Sequence, residues 1–293
     1  MVIATGFFDG VHLGHRFILQ QLLEEAGKRG DESMVVTFWP HPRNVLQNDA
    51  RNLRLLTSME EKKKLLTDIG IDKVEVIPFS REFSRLTTED YLRDYVIAKF
   101  GGKAVLVGYD NRIGSDLCTP EQTAGIAEKL GLEVIRPMSY KMDNGIVISS
   151  TKIRNALSEG NIDEANAMLG YPYQLYGVVV SGNRLGHTIG FPTANMQLYE
   201  PLKLVPGNGV YLVKVETLGR QWDGMCNIGV RPTLGSGNAL TIETNIFDFD
   251  EDIYGLDIRL SFVKKIRNEV KFNDLALLTS QLDKDRNLCR GLL

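Results

Sequence analysis

The sequence predicts two domains of different class: an α/β domain on a parallel sheet, then a small antiparallel β-barrel with a C-terminal helix. Up to about Arg154, short apolar runs alternate with amphipathic stretches, the pattern of a parallel sheet covered on both faces. After about residue 170 the alternation stops, and strand-like runs follow one another between glycine-rich turns. From about Asn273, Leu275, Leu278 and Leu282 share one helical face. The boundary is expected near Leu169–Tyr173, before Pro172 and after a helix capped by Asn161, which gives domains 1–169 and 170–293. A chain of 293 residues, 43% hydrophobic and 24% charged, can bury a core in each half.

In the first half the strands expected are Val2–Thr5, Met34–Phe38, Val74–Ile77, Lys103–Val107 and Glu133–Arg136. The first helix carries Leu19, Leu22, Leu23 and Ala26 at helical spacing, and further helices are expected over Ser58–Ile69, Thr87–Phe100 and Thr119–Leu130. Thr119-Pro120-Glu121 is a helix start, with a capping hydroxyl and proline at the first helical position. In the second half the strands expected are Tyr176–Val180, Val210–Glu216, Met225–Ile228, Leu240–Phe249 and Leu256–Phe262. Tyr211, Val213 and Val215 alternate with Leu212, Lys214 and Glu216, the period of a half-buried antiparallel strand.

Composition removes several functions. The net charge of −3 offers no basic excess for a nucleic-acid backbone or an anionic membrane, although a small polyanion such as ATP needs only a few local donors. Cys118, Cys226 and Cys289 are far apart, so neither a disulfide framework nor a zinc site is expected. Neither a leader peptide nor a bilayer-length apolar run is expected from the sequence pattern, and a cytoplasmic protein acting on small molecules is expected. The sequence leaves oligomeric state open.

The chemistry is concentrated in Gly6-Phe7-Phe8-Asp9-Gly10-Val11-His12-Leu13-Gly14-His15, between the first strand and the first helix. A glycine-bearing turn at that junction aims backbone N–H groups at a phosphate. Two imidazoles three residues apart suit charge developing on a transferring phosphoryl group better than a metal, since no third ligand stands at metal spacing.

This string resembles the nucleotidylyltransferase signature in the form found in FMN adenylyltransferase domains, which implies a Rossmann-like fold. Thr37-Phe38-Trp39-Pro40-His41-Pro42 resembles a segment of that family placed on the flavin side, implicating Pro40, His41 and Pro42. Gly108-Tyr109-Asp110-Asn111-Arg112-Ile113-Gly114 resembles its adenine-side loop, with Asp110 as a nucleotide contact and Ile113 where phenylalanine is usual. Ile148-Ser149-Ser150-Thr151-Lys152-Ile153-Arg154 resembles its closing motif. Alone this would be a Ser/Thr helix cap; beside the histidines it reads as hydroxyls, N–H groups and a cation for the ATP phosphates. The resemblance thus implies His12 and His15 as catalytic, with Gly6, Phe7, Gly14, Ser149, Ser150, Thr151 and Arg154 around the phosphates.

In the second half, Ser181-Gly182-Asn183-Arg184-Leu185-Gly186-His187-Thr188-Ile189-Gly190 is by itself a glycine-rich turn. Followed by Phe191-Pro192-Thr193-Ala194-Asn195, it resembles the riboflavin kinase signature. That resemblance implies Gly182, Gly186 and Gly190 at the nucleotide and Thr193 and Asn195 at magnesium. It also implies Glu243 as the general base and, less specifically, Arg267 on the flavin side. Histidine is usual where Asn245 stands.

The chain as a whole is therefore similar to the bifunctional riboflavin kinase/FMN adenylyltransferases, which implies ATP and Mg²⁺, with riboflavin, FMN and FAD as substrates and products. Two alternatives stay open at this point. One is another small-molecule nucleotidylyltransferase, which leaves the barrel unused. The other is a non-catalytic flavin-binding module, which has no need of the histidines or Glu243.

Overall fold

The computed structural model describes every residue except 47–52, 109–111, 139, 141–144, 146, 183–184 and 234–236. The chain separates into two compact units, Met1–Ser150 and Thr151–Leu293.

The first unit is built on a five-stranded parallel sheet in the order β3-β2-β1-β4-β5. The strands are β1 (Val2–Thr5), β2 (Ser33–Trp39), β3 (Lys73–Pro78), β4 (Ala104–Leu106) and β5 (Glu133–Ile135). Both faces are covered, which is why β1 reads as an unbroken apolar run. Val2 and Ala4 pack with Leu19 and Leu22 of helix α1 (Leu13–Arg29) and Leu66 of α2 (Met59–Ile69). Ile3 points the other way, into a cluster with Val96 of α3 (Tyr91–Lys99) and Ala127 of α4 (Pro120–Lys129). The chain steps outward from β1 to β3, then returns to pair β4 on the other side of β1. That reversal opens a crevice beyond the carboxyl ends of β1 and β4, the usual ligand site of such sheets.

Local signals set the helix ends. Thr119 and Gln122 form a reciprocal capping box at α4, as do Ser58 and Glu61 at α2. The expected helix over Thr87–Phe100 is present but changes type: Thr88–Asp90 is α-helical and α3 is a π-helix, with the Phe100 N–H donating to the Tyr95 carbonyl at 2.9 Å.

The second unit is a closed antiparallel barrel in the order β10-β7-β6-β11-β8-β9, with β10 also paired to β9. Its strands are β6 (Gln174–Val180), β7 (Ala194–Leu198), β8 (Gly209–Thr217), β9 (Arg220–Thr233), β10 (Gly237–Ile246) and β11 (Asp257–Arg267). Helix α7 (Leu275–Gly291) buries Cys289 and Leu282 with Val210 and Met225. Two short helices, α5 (Ser150–Glu159) and α6 (Ile162–Leu169), precede the barrel.

The compact units divide after Ser150, and α5 and α6 are bonded to barrel elements. The Gly207 N–H donates to the Leu157 carbonyl at 2.8 Å, and Asn166 Nδ2 donates to the Phe262 carbonyl at 2.9 Å. Asn161 precedes α6, but its side chain does not cap it; Nδ2 donates to the Glu159 carboxylate instead. Strand β7 is not expected from the sequence because its five residues, Ala-Asn-Met-Gln-Leu, bury only Met196 and hold no β-branched or aromatic residue.

Candidate active sites

The loop leaving β1 carries the histidine motif into the crevice. The Gly6 N–H donates to the Val36 carbonyl at 3.0 Å, and Thr37 Oγ1 donates to the Phe7 carbonyl at 3.2 Å, so β2 fixes the start of the loop. Gly10 takes a positive φ of 78°, which glycine adopts without a side-chain penalty. Asp9, 3% exposed, accepts from the Leu56 and Thr57 N–H groups and from Thr57 Oγ1. Its role is therefore to tie the motif to the segment that opens α2. The carbonyl of Asp9 accepts from Ser150 Oγ at 3.0 Å, which brings the serine-rich motif to the same loop.

His12 stands at the N-terminus of α1, where its Nδ1 accepts from the His15 N–H at 3.3 Å. An imidazole accepting at Nδ1 carries its neutral-form proton on Nε2, so the cap fixes the tautomer. The two rings stack, with centroids 3.6 Å apart and planes 14° from parallel. A Cβ on Gly14 would lie 3.3 Å from the His12 ring, so glycine keeps the ring's flank clear. His15 Nδ1 is buried without a hydrogen-bond partner among the described residues. Burial, then His12, then Lys62 push its pKa well below the ordinary histidine value, so the ring is neutral near pH 7.

Lys62 was not anticipated. It is 1% exposed, its Nζ lies 3.5 Å from the Phe7 ring centroid, and that nitrogen has no hydrogen-bond partner among the described residues. Burial pulls its pKa down to about 8, with Asp9 opposing. A signal was present: Lys62 stands four residues before the buried Leu66, a charge on the apolar stripe of α2.

The other expected residues divide. His41 joins the motif, its ring 3.9 Å from Phe7 and its Nδ1 accepting from the Arg43 N–H at 3.1 Å. Pro40 and Pro42 flank it, and Pro42 opens a short helix to Leu46. Ser149 lies immediately before α5, with Thr151 and Arg154 in its first and second turns. Asp110 lies outside the described residues. Ile113, buried, accepts at its carbonyl from Thr88 Oγ1 at 2.7 Å, which holds the rest of that loop to the turn that precedes α3.

Two of the barrel's cavities are lined by alternate residues of β10. Thr244 and Ile246 line the first, together with His187 and Asp252. Glu243 and Asn245 line the second, which has apolar walls from Phe191, Met225 and Phe272. Thr193 lines both. Glu243 pairs across the ladder with Asn195 of β7 and Asn227 of β9. Asn245 Nδ2 donates to the Pro192 carbonyl at 2.7 Å and holds the Pro-Thr-Ala-Asn segment to β10.

The glycines serve close approach. A Cβ on Gly182 would lie 2.3 Å from Asn195 Nδ2, and one on Gly186 would lie 2.2 Å from the Phe191 carbonyl oxygen. Gly190 instead takes a positive φ of 81°. Asn183 and Arg184 lie outside the described residues. Arg267 lines the second cavity, but its guanidinium is held by Asp285 of α7, with contacts of 2.8, 2.9 and 3.1 Å. Asp285 also accepts from Gln281 Nε2 at 2.8 Å.

Among the described residues no cluster of three or more histidine, cysteine or acidic side chains could hold a metal ion, and no helix is long and apolar enough to cross a membrane. Residues 1–152 match the family model described as FAD synthetase, and residues 169–293 match the one described as riboflavin kinase. A bifunctional riboflavin kinase/FMN adenylyltransferase of Listeria monocytogenes is 37% identical, covering 99% of this chain and 91% of the relative. Its namesake from Escherichia coli is 38% identical, covering 99% of this chain and 91% of the relative. A crystal structure described as a macrolide-efflux protein from Streptococcus pneumoniae is 32% identical, with a TM-score of 0.91, covering 99% of this chain and 93% of that one. With both models matched in order and these relatives similar along nearly their whole length, the chain belongs to the bifunctional riboflavin kinase/FMN adenylyltransferase family.

Proposed function

We propose that the family's two reactions divide at the units, with named residues in each. In the barrel, riboflavin occupies the cavity of Glu243 and ATP the cavity of Thr244 and His187. Glu243 accepts the proton of the ribityl 5′ hydroxyl as its oxygen attacks the γ phosphorus, and ADP leaves. The observation that carries this reading is the sharing of Thr193 by both cavities, with Glu243 on the flavin side of the wall. Thr193 and Asn195 suit Mg²⁺: both offer neutral oxygen donors, and a Cβ on Gly182 would press directly on Asn195. When bound with the nucleotide, the ion neutralises phosphate charge.

In the first unit, an oxygen of the FMN phosphate attacks the α phosphorus of ATP, and pyrophosphate leaves. No protein nucleophile is needed; positioning and charge stabilisation carry the rate. His12, with its proton on Nε2, donates to the phosphoryl group while its Nδ1 stays engaged at the helix start. His15, neutral and stacked on it, supports that ring. His41 beside Phe7 places the flavin end of FMN on the β2 side, and Ser149 and Ser150 serve the ATP phosphates, Ser150 from its bond to the motif loop. The protein works in the cytoplasm on small molecules.

The test is turnover of riboflavin with MgATP, read by chromatography for FMN and FAD and by separate assays for ADP and pyrophosphate. Glu243→Gln should abolish FMN formation and leave conversion of supplied FMN to FAD intact. Loss of both activities in a folded variant, or neither, overturns the assignment.

A further inference from the structure

We infer that Lys62 is a phosphate-contacting residue of adenylyl transfer, its ammonium accepted by an anionic oxygen of a bound nucleotide at the histidine motif. This rests on the reading of the first unit given above.

A lysine is almost never fully buried unless its charge is paired. Lys62 is 1% exposed and its Nζ has no hydrogen-bond acceptor among the described residues. Its neighbours do not satisfy it. One is the face of Phe7, 3.5 Å away, which offers a cation–π contact but no acceptor atom. Another is Asp9, whose carboxylate is already engaged by the Leu56 and Thr57 N–H groups and the Thr57 hydroxyl. The third is His15, whose own Nδ1 is also buried and unpartnered and which Lys62 helps to keep unprotonated. Among the described residues an ammonium and an imidazole are thus left without partners, the imidazole at the start of a 17-residue helix. A phosphate oxygen satisfies the ammonium.

The placement is built, not incidental. The capping box of Ser58 and Glu61 fixes where α2 begins, with bonds of 3.1 and 2.7 Å. Asp9 fixes residues 56 and 57 to the motif loop. Lys62, one turn into α2, is thereby delivered beneath Phe7. An apolar side chain would fill this space without burying an unpaired charge, so holding a lysine here gives up stability for a ligand contact.

The oxygen belongs either to the FMN 5′ phosphate or to an ATP phosphate, and the kinetics separate them. The full chain is assayed as Lys62→Met and Lys62→Arg for FMN adenylylation, with riboflavin phosphorylation measured in the same preparations. Lys62→Met should melt no lower than the parent and lose about a hundredfold in kcat/KM for adenylylation, the scale of removing one charged donor from a transferring group. Its kinase rate should stay within about twofold of the parent, the two activities lying in different units. Lys62→Arg should recover part of the loss, with KM raised for FMN alone or for ATP alone according to whose phosphate is contacted. Adenylylation by Lys62→Met within about threefold of the parent, or lost together with a lowered melting temperature, overturns the inference. A parent protein that forms no FAD from FMN instead overturns the underlying reading, whatever the variants do.

Discussion

Asp285→Asn tests whether α7 is part of the flavin cavity or only packs on the barrel. Asp285 receives Nε and Nη2 of Arg267 at 2.8 to 3.1 Å, with side-chain exposures of 3% for the aspartate and 20% for the arginine. Asparagine keeps the volume but removes the charge and turns an N–H group toward the guanidinium. Breaking a buried pair by removing one partner costs about 3–5 kcal/mol, and the water reaching Arg267 places this pair near 3. With a urea dependence of about 2 kcal/mol per molar, the midpoint should fall by roughly 1.5 M. The assay is urea unfolding of the full chain, with hydrogen exchange read separately on peptides from β8 and from β1. The β8 transition should move and the β1 transition should not, while KM for riboflavin rises because Arg267 swings from the cavity wall. A β8 shift below about 0.3 M, or an equal shift in β1, refutes the reasoning.

Three further outcomes are expected. Because the folded protein holds the pKa of His15 well below 6.5, the unfolded chain binds the proton first as pH falls. The stability contributed by neutral His15 is therefore present above pH 6.5 and lost below it; thermal unfolding of the first unit should drop from pH 7 to pH 5, and His15→Gln should flatten that drop. Asp9→Asn should cost about 2 kcal/mol, the scale of hydrogen bonds to a charged group, and speed exchange at residues 56–62 while slowing FAD formation. Gly182→Ala drives a methyl to within 2.3 Å of Asn195 and should raise KM for MgATP in FMN formation by about tenfold, leaving adenylylation unchanged.

The sheet of the first unit was legible because a strand covered on both faces must be apolar at every position, as Val2 to Ala4 are. The barrel was legible in part. The alternation at Tyr211–Glu216 marked β8, but β7 is short, buries only Met196 and is held by pairing to β6 and β10, which no local period reports. The candidate residues stood out as types at spacings: the rings of His12 and His15 stack, and Thr193 and Glu243 line one cavity. What stayed hidden were the partners that position them. Asp9 looked like one more motif polar group, although its bonds run 47 and 48 residues along the chain. Asp285 holds Arg267 across 18 residues, from a face of α7 that its leucines do not mark. Lys62 could have been found by treating a charge on an apolar stripe as a question.

The wall formed by β10 has a consequence for how this kinase can change. Side chains on a strand trade faces with every single-residue step, so sliding β10 by one position would move the Glu243 carboxylate to the cavity of Thr244 and a hydroxyl to the cavity proposed for the flavin. An open sheet could drift in that way at a free edge. Here β10 is locked between β7 and β9 in a closed ring, so the assignment of compartments is topological. Insertions into this strand should be tolerated only in pairs or at its ends, and the chemistry is protected by parity as much as by side-chain identity.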